Sequence, residues 1–117
     1  VVEGEKCADN LNAFFKREGV WSMHVAVTSG SSTSADKTDW SPLQGRKVTI
    51  WPDNDASGFK YRDAVMVALK DVAAEVESIA VEGLSLRESE DCADWLAANS
   101  AATIASFASF PRYVPAI

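Results

Sequence analysis

Soft ligands and nucleophiles are scarce in this chain: one histidine, His24, and two cysteines, Cys7 and Cys92, stand among 117 residues. The cysteines lack both the paired spacing of a zinc module and the density of a disulfide scaffold, so both read as reduced thiols. His24 has no partner motif that would make it a ligand. Without a second histidine or a nucleophile elbow, Ser29, Ser31 and Ser32 do not make a serine hydrolase. The loop Thr28-Ser29-Gly30-Ser31 offers backbone N–H groups suited to a phosphate but lacks the glycine-lysine signature of a nucleotide-binding loop. No apolar run approaches the roughly 20 residues that cross a bilayer, and the start lacks the basic-then-apolar pattern of a signal peptide. A cytoplasmic location with no membrane partner is the expectation. Positive charge is also in deficit, with 11 Lys and Arg against 17 Asp and Glu and a formal net charge of −6. That balance excludes a domain that grips DNA or RNA by itself through phosphate neutralisation.

What is present fits one globular domain: 47% of the residues are hydrophobic, and no internal repeat is seen. Apolar residues at helical spacing (Ala8, Leu11, Phe14, Phe15) predict a helix over 5–18 that stops at Gly19. His24-Val25-Ala26-Val27-Thr28 reads as a short buried strand, and residues 29–39 as a Ser/Thr-rich loop. Asp39 or Ser41 would cap a helical turn running to Leu43, and Lys47-Val48-Thr49-Ile50-Trp51 is the best strand, ended by Pro52. Phe59, Ala64, Val67, Ala68 and Val72 predict a helix over 56–74, capped by Asp55 or Ser57. A strand over 76–81, a helix over 91–98 and a weaker helix over 101–109 follow. The tail through Phe110, Pro111, Val114 and Pro115 reads as a linker or an arm packed on the domain. Alternating strands and helices predict a parallel sheet with helices on both faces. Because Glu3 should follow a strand of which only Val1 and Val2 remain, the chain is expected to be a trimmed piece of a larger protein.

Two acidic motifs about fifty residues apart, Val1-Val2-Glu3-Gly4-Glu5-Lys6 and Trp51-Pro52-Asp53-Asn54-Asp55, each sit where a strand hands over to a helix. In an open parallel sheet such positions meet at the carboxyl ends of the strands. Asp53 and Asp55, two apart, share a side if their segment stays extended, which suits divalent magnesium with its oxygen ligands. A turn with a helix cap accounts for the same residues. Glu3, if close to the aspartates, would have a raised pKa and make a candidate general base. Asp91 and Asp94 form a third cluster that either completes the metal site or opens a solvated helix. Lys6, Lys37 and Lys60 lie in or beside the same edge and would either meet phosphates or solvate a surface.

These residues, Val-Val-Glu-Gly-Glu-Lys, then Trp-Pro-Asp-Asn-Asp-Ala-Ser-Gly, then Asp-Cys-Ala-Asp-Trp-Leu, resemble the Toprim domain of primases, topoisomerases and related nucleases. The likeness spans residues 1–98. Thr28-Ser29-Gly30, Lys37 to Leu43 and Gly45-Arg46 further resemble the phage- and plasmid-type primases and primase-helicases. The resemblance implies an α/β fold with a four-stranded parallel sheet flanked by helices, followed over 99–117 by a C-terminal helix and an extended tail or linker. It implies Glu3 as general base or acid, Asp53 and Asp55 as ligands of magnesium or of manganese in its place, and Asp91 as a further metal-proximal acid. The implied reaction is nucleotidyl transfer making RNA primers from nucleotide triphosphates on single-stranded DNA, within a larger protein that supplies the other lobes and a helicase partner; the isolated piece is expected to be inactive. Phosphodiester cleavage of the nuclease or topoisomerase type is the alternative, although Tyr61 and Tyr113 carry no motif for a nucleophile. A receiver-like regulatory module is a second alternative, lacking a lysine after the strand over 76–81. A degenerate, partner-binding Toprim domain is a third. One departure stands out: many primases have an aspartate four residues after the glutamate, where this chain has Cys7 and then Asp9. The number of metals is thereby left open.

Overall fold

The alternating burial of Lys47-Val48-Thr49-Ile50 is that of a strand, and it forms β1 (Lys47–Ile50) in a computed structural model that describes residues 1–20, 23–30, 35–84 and 86–113. Ser31, Ser32, Val114 and Pro115 lie outside the described residues. β1 pairs in parallel with β2 (Glu75–Ile79), Val48 facing Val76 and Ile50 facing Ser78. The other edge of β2 carries β3 (Arg112–Tyr113), antiparallel, with Ser78 opposite Tyr113. The sheet is therefore three-stranded and mixed, in the order β1-β2-β3.

The expected four-stranded parallel sheet is not formed as such. Residues 24–28 make no strand and contribute a single parallel bridge, Thr28 to Val2. On the edge facing away from Val2, the side chain of Asn12 takes both backbone groups of Ala26. Its Oδ1 accepts from Ala26 N at 2.7 Å and its Nδ2 donates to Ala26 O at 3.0 Å. Val2 N donates to Val27 O at 3.0 Å, while Val1 N donates to Thr49 O at 2.7 Å and Val1 O accepts from Trp51 N at 2.9 Å. Residues 1 and 2 are thus stitched between the 27–28 segment and β1, but the chain turns into a helix too soon to extend the ladder.

That helix, α1 (Glu5–Arg17), buries Cys7, Ala8, Leu11, Phe14 and Phe15 on one face, with Glu5 in its first turn and Lys16 and Arg17 in its last, as the macrodipole favours. Gly19, at φ +73°, takes the left-handed conformation that lets the chain leave the helix. α2 (Ala56–Leu69) is capped by Asp55. Its innermost residues are Gly58, Tyr61, Val65, Met66 and Leu69; of the expected residues Phe59, Ala68 and Val72 pack partly buried against the cores, whereas Ala64 is exposed and Val67 is 71% exposed. Apolar residues occur nearly all round this helix, so periodicity alone does not set its rotation. α3 (Cys92–Ala98) and α4 (Ile104–Ala108) complete the helices, and 3-10 turns occur at Ala35–Lys37, Ser41–Leu43 and Val81–Gly83.

Consecutive residues of a strand point to opposite faces, and the core divides accordingly. Val2, Trp51, Ile79 and Val81 pack with Leu11, Phe14 and Phe15 of α1, Cys92 of α3 and Phe110. Val1, Val48 and Ile50 pack with Tyr61, Val65, Met66 and Leu69 of α2 and with Ala35 and Trp40. Helices therefore cover both faces of a compact α/β unit whose radius of gyration is 13.2 Å. The segment after α3 joins the first core: the Trp51 ring lies 5.8 Å from Trp95, 6.1 Å from Phe107 and 5.3 Å from Phe110. Among the described residues, no helix is long and apolar enough to cross a membrane.

Candidate metal centre

Each predicted acidic residue sits at, or just before, a helix start. Glu3 follows the bridged Val2, and its carbonyl accepts from Thr28 Oγ1 at 2.8 Å. This anchoring turns its side chain inward, leaving the residue 8% exposed. Gly4, extended at φ −125° and ψ 161°, opens α1 without a side-chain cap.

Asp53 is placed by close backbone packing. Beyond the buried Trp51 and Pro52, its carbonyl accepts from Asp55 N at 2.9 Å and lies where a Cβ at position 58 would stand. Only glycine at 58 lets the loop approach the helix this closely. The segment does not stay extended through Asp55. Asp55 Oδ1 turns back to accept from Gly58 N at 2.6 Å, so this residue caps α2.

Asp91 reaches the same place through Asn54. The backbone N of Asn54 donates to Glu90 O at 2.8 Å, Ser89 N donates back to Asn54 O at 2.9 Å, and Asn54 Nδ2 donates to the carbonyls of Leu86 and Arg87, both at 3.1 Å. The loop before α3 is thus stitched to the loop before α2. Asp91 then caps α3 in a reciprocal box with Asp94, 3.0 Å from Asp94 N to Asp91 Oδ1 and 2.9 Å from Asp91 N to Asp94 Oδ2.

The tightest grouping of donor atoms is Cys7 Sγ with one carboxylate oxygen each from Asp53 and Asp91, all within 4.8 Å of one another. Cys7 is buried in the first turn of α1. Cys92, also buried, donates its S–H to the Cys7 carbonyl at 3.7 Å. Glu3 borders the cluster from the side, near enough to Asp53, Asp55 and Cys7 for their charges to act on its carboxyl. Its Oε1 is buried with no hydrogen-bond partner among the described residues. A buried polar atom left without a partner calls for one, and a cation at the carboxyl groups would supply it.

The electrostatics follow from this crowding. Burial first, then the hydrogen bond and charge of Asp53 and the charges of Asp55 and Cys7, push Glu3 from 4.5 up to about 8. Asp53 is also raised, by burial and by the charges of Asp91, Asp55 and Asp94, while the bond with Glu3 works the other way. Burial would raise Asp91 too, but the N–H of Asp94 and the Cys7 thiol outweigh it and leave Asp91 below its ordinary value. The Cys92 thiol is pushed up by Cys7 beside it and by burial.

Asp53 and Asp91 therefore converge with Cys7, Glu3 borders them beside Asp53, and Asp55 stands close enough for its charge to act on Glu3 and Asp53 while one of its oxygens caps α2. Lys6 and Lys60 are exposed on the first and second turns of α1 and α2, and Lys37 is exposed on the turn Ala35–Lys37; none of the three forms a salt bridge among the described residues. His24 lies elsewhere, packed on the Phe15 ring at 5.4 Å. Tyr61 is buried, its hydroxyl 2.8 Å from Ser29 Oγ. Sequence reasoning treated Cys7 as a gap in the acidic pattern, yet it lies at the centre. Its signal was position, four residues after Glu3 and in the first turn of the helix that follows. Compared with protein-family models, curated proteins and solved structures, the chain matches none.

Proposed function

We propose that this chain is a Toprim-type domain whose acidic cluster holds divalent metal for nucleotidyl transfer, of the kind that makes RNA primers from nucleotide triphosphates on single-stranded DNA. The observation that carries the reading is the meeting of Asp53 and Asp91, from two separated segments, with the buried Glu3 near enough to Asp53 and Asp55 for their charges to act on it. The parallel stitching of the 27–28 segment, residues 1–2, β1 and β2 also supports it, because four aligned segments in this order are a shortened form of the implied sheet.

Asp53 and Asp91 present carboxylate oxygens, with Asp55 keeping one oxygen beyond its cap, a donor set that suits magnesium or manganese. When bound, such ions neutralise phosphate oxygens and orient an attacking 3′-hydroxyl. Burial and its acidic neighbours keep Glu3 protonated up to about pH 8 in the metal-free protein; a cation at Asp53 would lower that value and free the carboxylate to accept the proton of that hydroxyl. Lys6 and Lys60, on the first two turns of α1 and α2, are candidates to meet triphosphate oxygens, and Lys37 is a more distant one. Template and helicase contacts fall to other parts of the full-length protein. The burial of Tyr61 weighs against cleavage through a tyrosine nucleophile at that position.

The test is a manganese titration followed by proton relaxation, comparing the unaltered protein with an Asp53→Asn/Asp55→Asn double variant, then primer synthesis by the full-length protein carrying the same changes. Saturable binding and synthesis, both lost in the variant, are expected. Unchanged synthesis in the variant rejects the proposal.

A further inference from the structure

We propose that Cys7 is itself a metal ligand, and that Cys7, Asp53 and Asp91 form a position selective for a thiophilic divalent ion of the zinc and cobalt class rather than for magnesium. The inference deepens the reading of this cluster as a metal centre, and it concerns a donor that the magnesium reading does not use. Two independent observations carry it. The first is geometric: Cys7 Sγ and the two carboxylate oxygens lie within 4.8 Å of one another. Donor atoms around a tetrahedral zinc are separated by roughly 3.4–3.6 Å, given typical bond lengths. Small side-chain rotations close the difference.

The second observation is Glu3, 8% exposed, with Oε1 buried and unpartnered beside the same Asp53 carboxyl. Its unpartnered oxygen borders the three-donor group, whose fourth position is left to water. Thiolate sulfur is a soft ligand that favours zinc and its neighbours, whereas magnesium prefers oxygen and gives up its waters reluctantly. A thiol at the centre of an otherwise all-oxygen site therefore changes which ion is held. Asp53 and Asp91 lie in both donor sets, so the choice between a soft ion with Cys7 and a hard ion with Asp55 falls on the same carboxylates. On binding, the Cys7 S–H bond breaks, a sulfur–metal bond forms and the proton passes to solvent, with no change of oxidation state. Cys92 is not a ligand here. Its S–H donates to the Cys7 carbonyl and fixes the first turn of α1.

Cobalt(II) added to the unaltered protein tests this, because thiolate ligation produces a sulfur-to-cobalt charge-transfer band in the near ultraviolet. The band should saturate in the unaltered protein and in Cys92→Ala, be lost in Cys7→Ser, and be displaced by equimolar zinc but not by excess magnesium. Absence of the band in the unaltered protein, its survival in Cys7→Ser, or its displacement by magnesium as readily as by zinc overturns the proposal. Should Cys7→Ser not fold, zinc-edge X-ray absorption of the zinc-loaded unaltered protein decides: a zinc–sulfur scattering path is expected, and a shell of oxygen and nitrogen alone overturns the proposal. The outcome is separable from that of the proposed function, since a protein with the band but no primer synthesis keeps the ligand assignment and loses only the reaction.

Discussion

The carbonyl of Asp53 rests against Gly58 in the space that any other residue would fill with its Cβ. The acidic loop is thus set by backbone packing on α2, and the same contact fixes which face of that helix turns inward. Gly58→Ala should cost about 1–3 kcal/mol through overpacking and displace Asp53 from Asp91. Urea denaturation and manganese titration of the variant check both effects. A Gly58→Ala protein with unchanged stability would mean that the loop has room to move.

Asp55 has two duties that one substitution can separate. Serine retains an oxygen to accept from Gly58 N but removes the charge, whereas alanine removes both. Asp55→Ala should lose about 1 kcal/mol of stability, in line with the loss of a helix cap, and Asp55→Ser much less. Both should weaken manganese binding. If Asp55→Ser binds the ion as well as the unaltered protein does, Asp55 is a cap alone.

Asn54 ties the two acidic loops together through its bonds to Leu86 and Arg87. Asn54→Ala removes both bonds from carbonyls that water can reach, at a cost of about 0.5–1.5 kcal/mol. By loosening the support of Asp91 against Asp53, it should lower metal affinity on the order of 10–100-fold. Isothermal titration, with circular dichroism to confirm folding, gives both numbers.

The raised Glu3 pKa makes stability depend on pH in a defined direction. Between its ordinary 4.5 and about 8, the folded protein keeps the Glu3 proton that the unfolded chain gives up. The stabilisation is full below pH 4.5 and is lost as pH rises toward 8. Asp53 acts in the same direction, while the lowered Asp91 acts oppositely, its contribution being lost as pH falls. Metal-free thermal melts at pH 5 and pH 8 should therefore show a decline that Glu3→Gln largely abolishes. A decline of equal size in the variant would place its origin elsewhere.

Phe110 is 8% exposed and stacks edge-on against Trp51 and Trp95 at 5.3 and 4.8 Å. Phe110→Ala should cost about 3–5 kcal/mol, as for a buried aromatic, and alter the tryptophan fluorescence. Loss of much less than this would show that the segment after α3 adds little to the core.

The acidic residues were legible in the sequence because their chemistry coincided with strand-to-helix handovers, a local signal at Glu3 and at Asp53. The helices were legible where apolar spacing was one-sided, as in α1. In α2, apolar residues on every side left the rotation open, and the deciding contact, Gly58 on Asp53, joins residues five apart through backbone that no periodicity reports. The expected strand over 24–28 is reduced to one bridge because residues 1–2 offer it too short a partner before α1 begins, while Asn12 takes the backbone groups of Ala26 on the outer edge. Sequence patterning does not foresee a side-chain amide closing an edge. Cys7 was read by what it replaced, and only its proximity to Asp53 and Asp91 gives it a part.

Because Cys7, Asp53 and Asp91 come from three distant stretches of chain, no unfolded segment holds their donor atoms together. An ion bound there favours the folded protein alone, by about 2.7 kcal/mol when its free concentration is 100 times its dissociation constant. Metal supply would then act as a dial on lifetime as well as on chemistry: the melting temperature would climb with ion concentration, and a chelator would leave a self-repelling cluster of acids to hold the fold against its own charge.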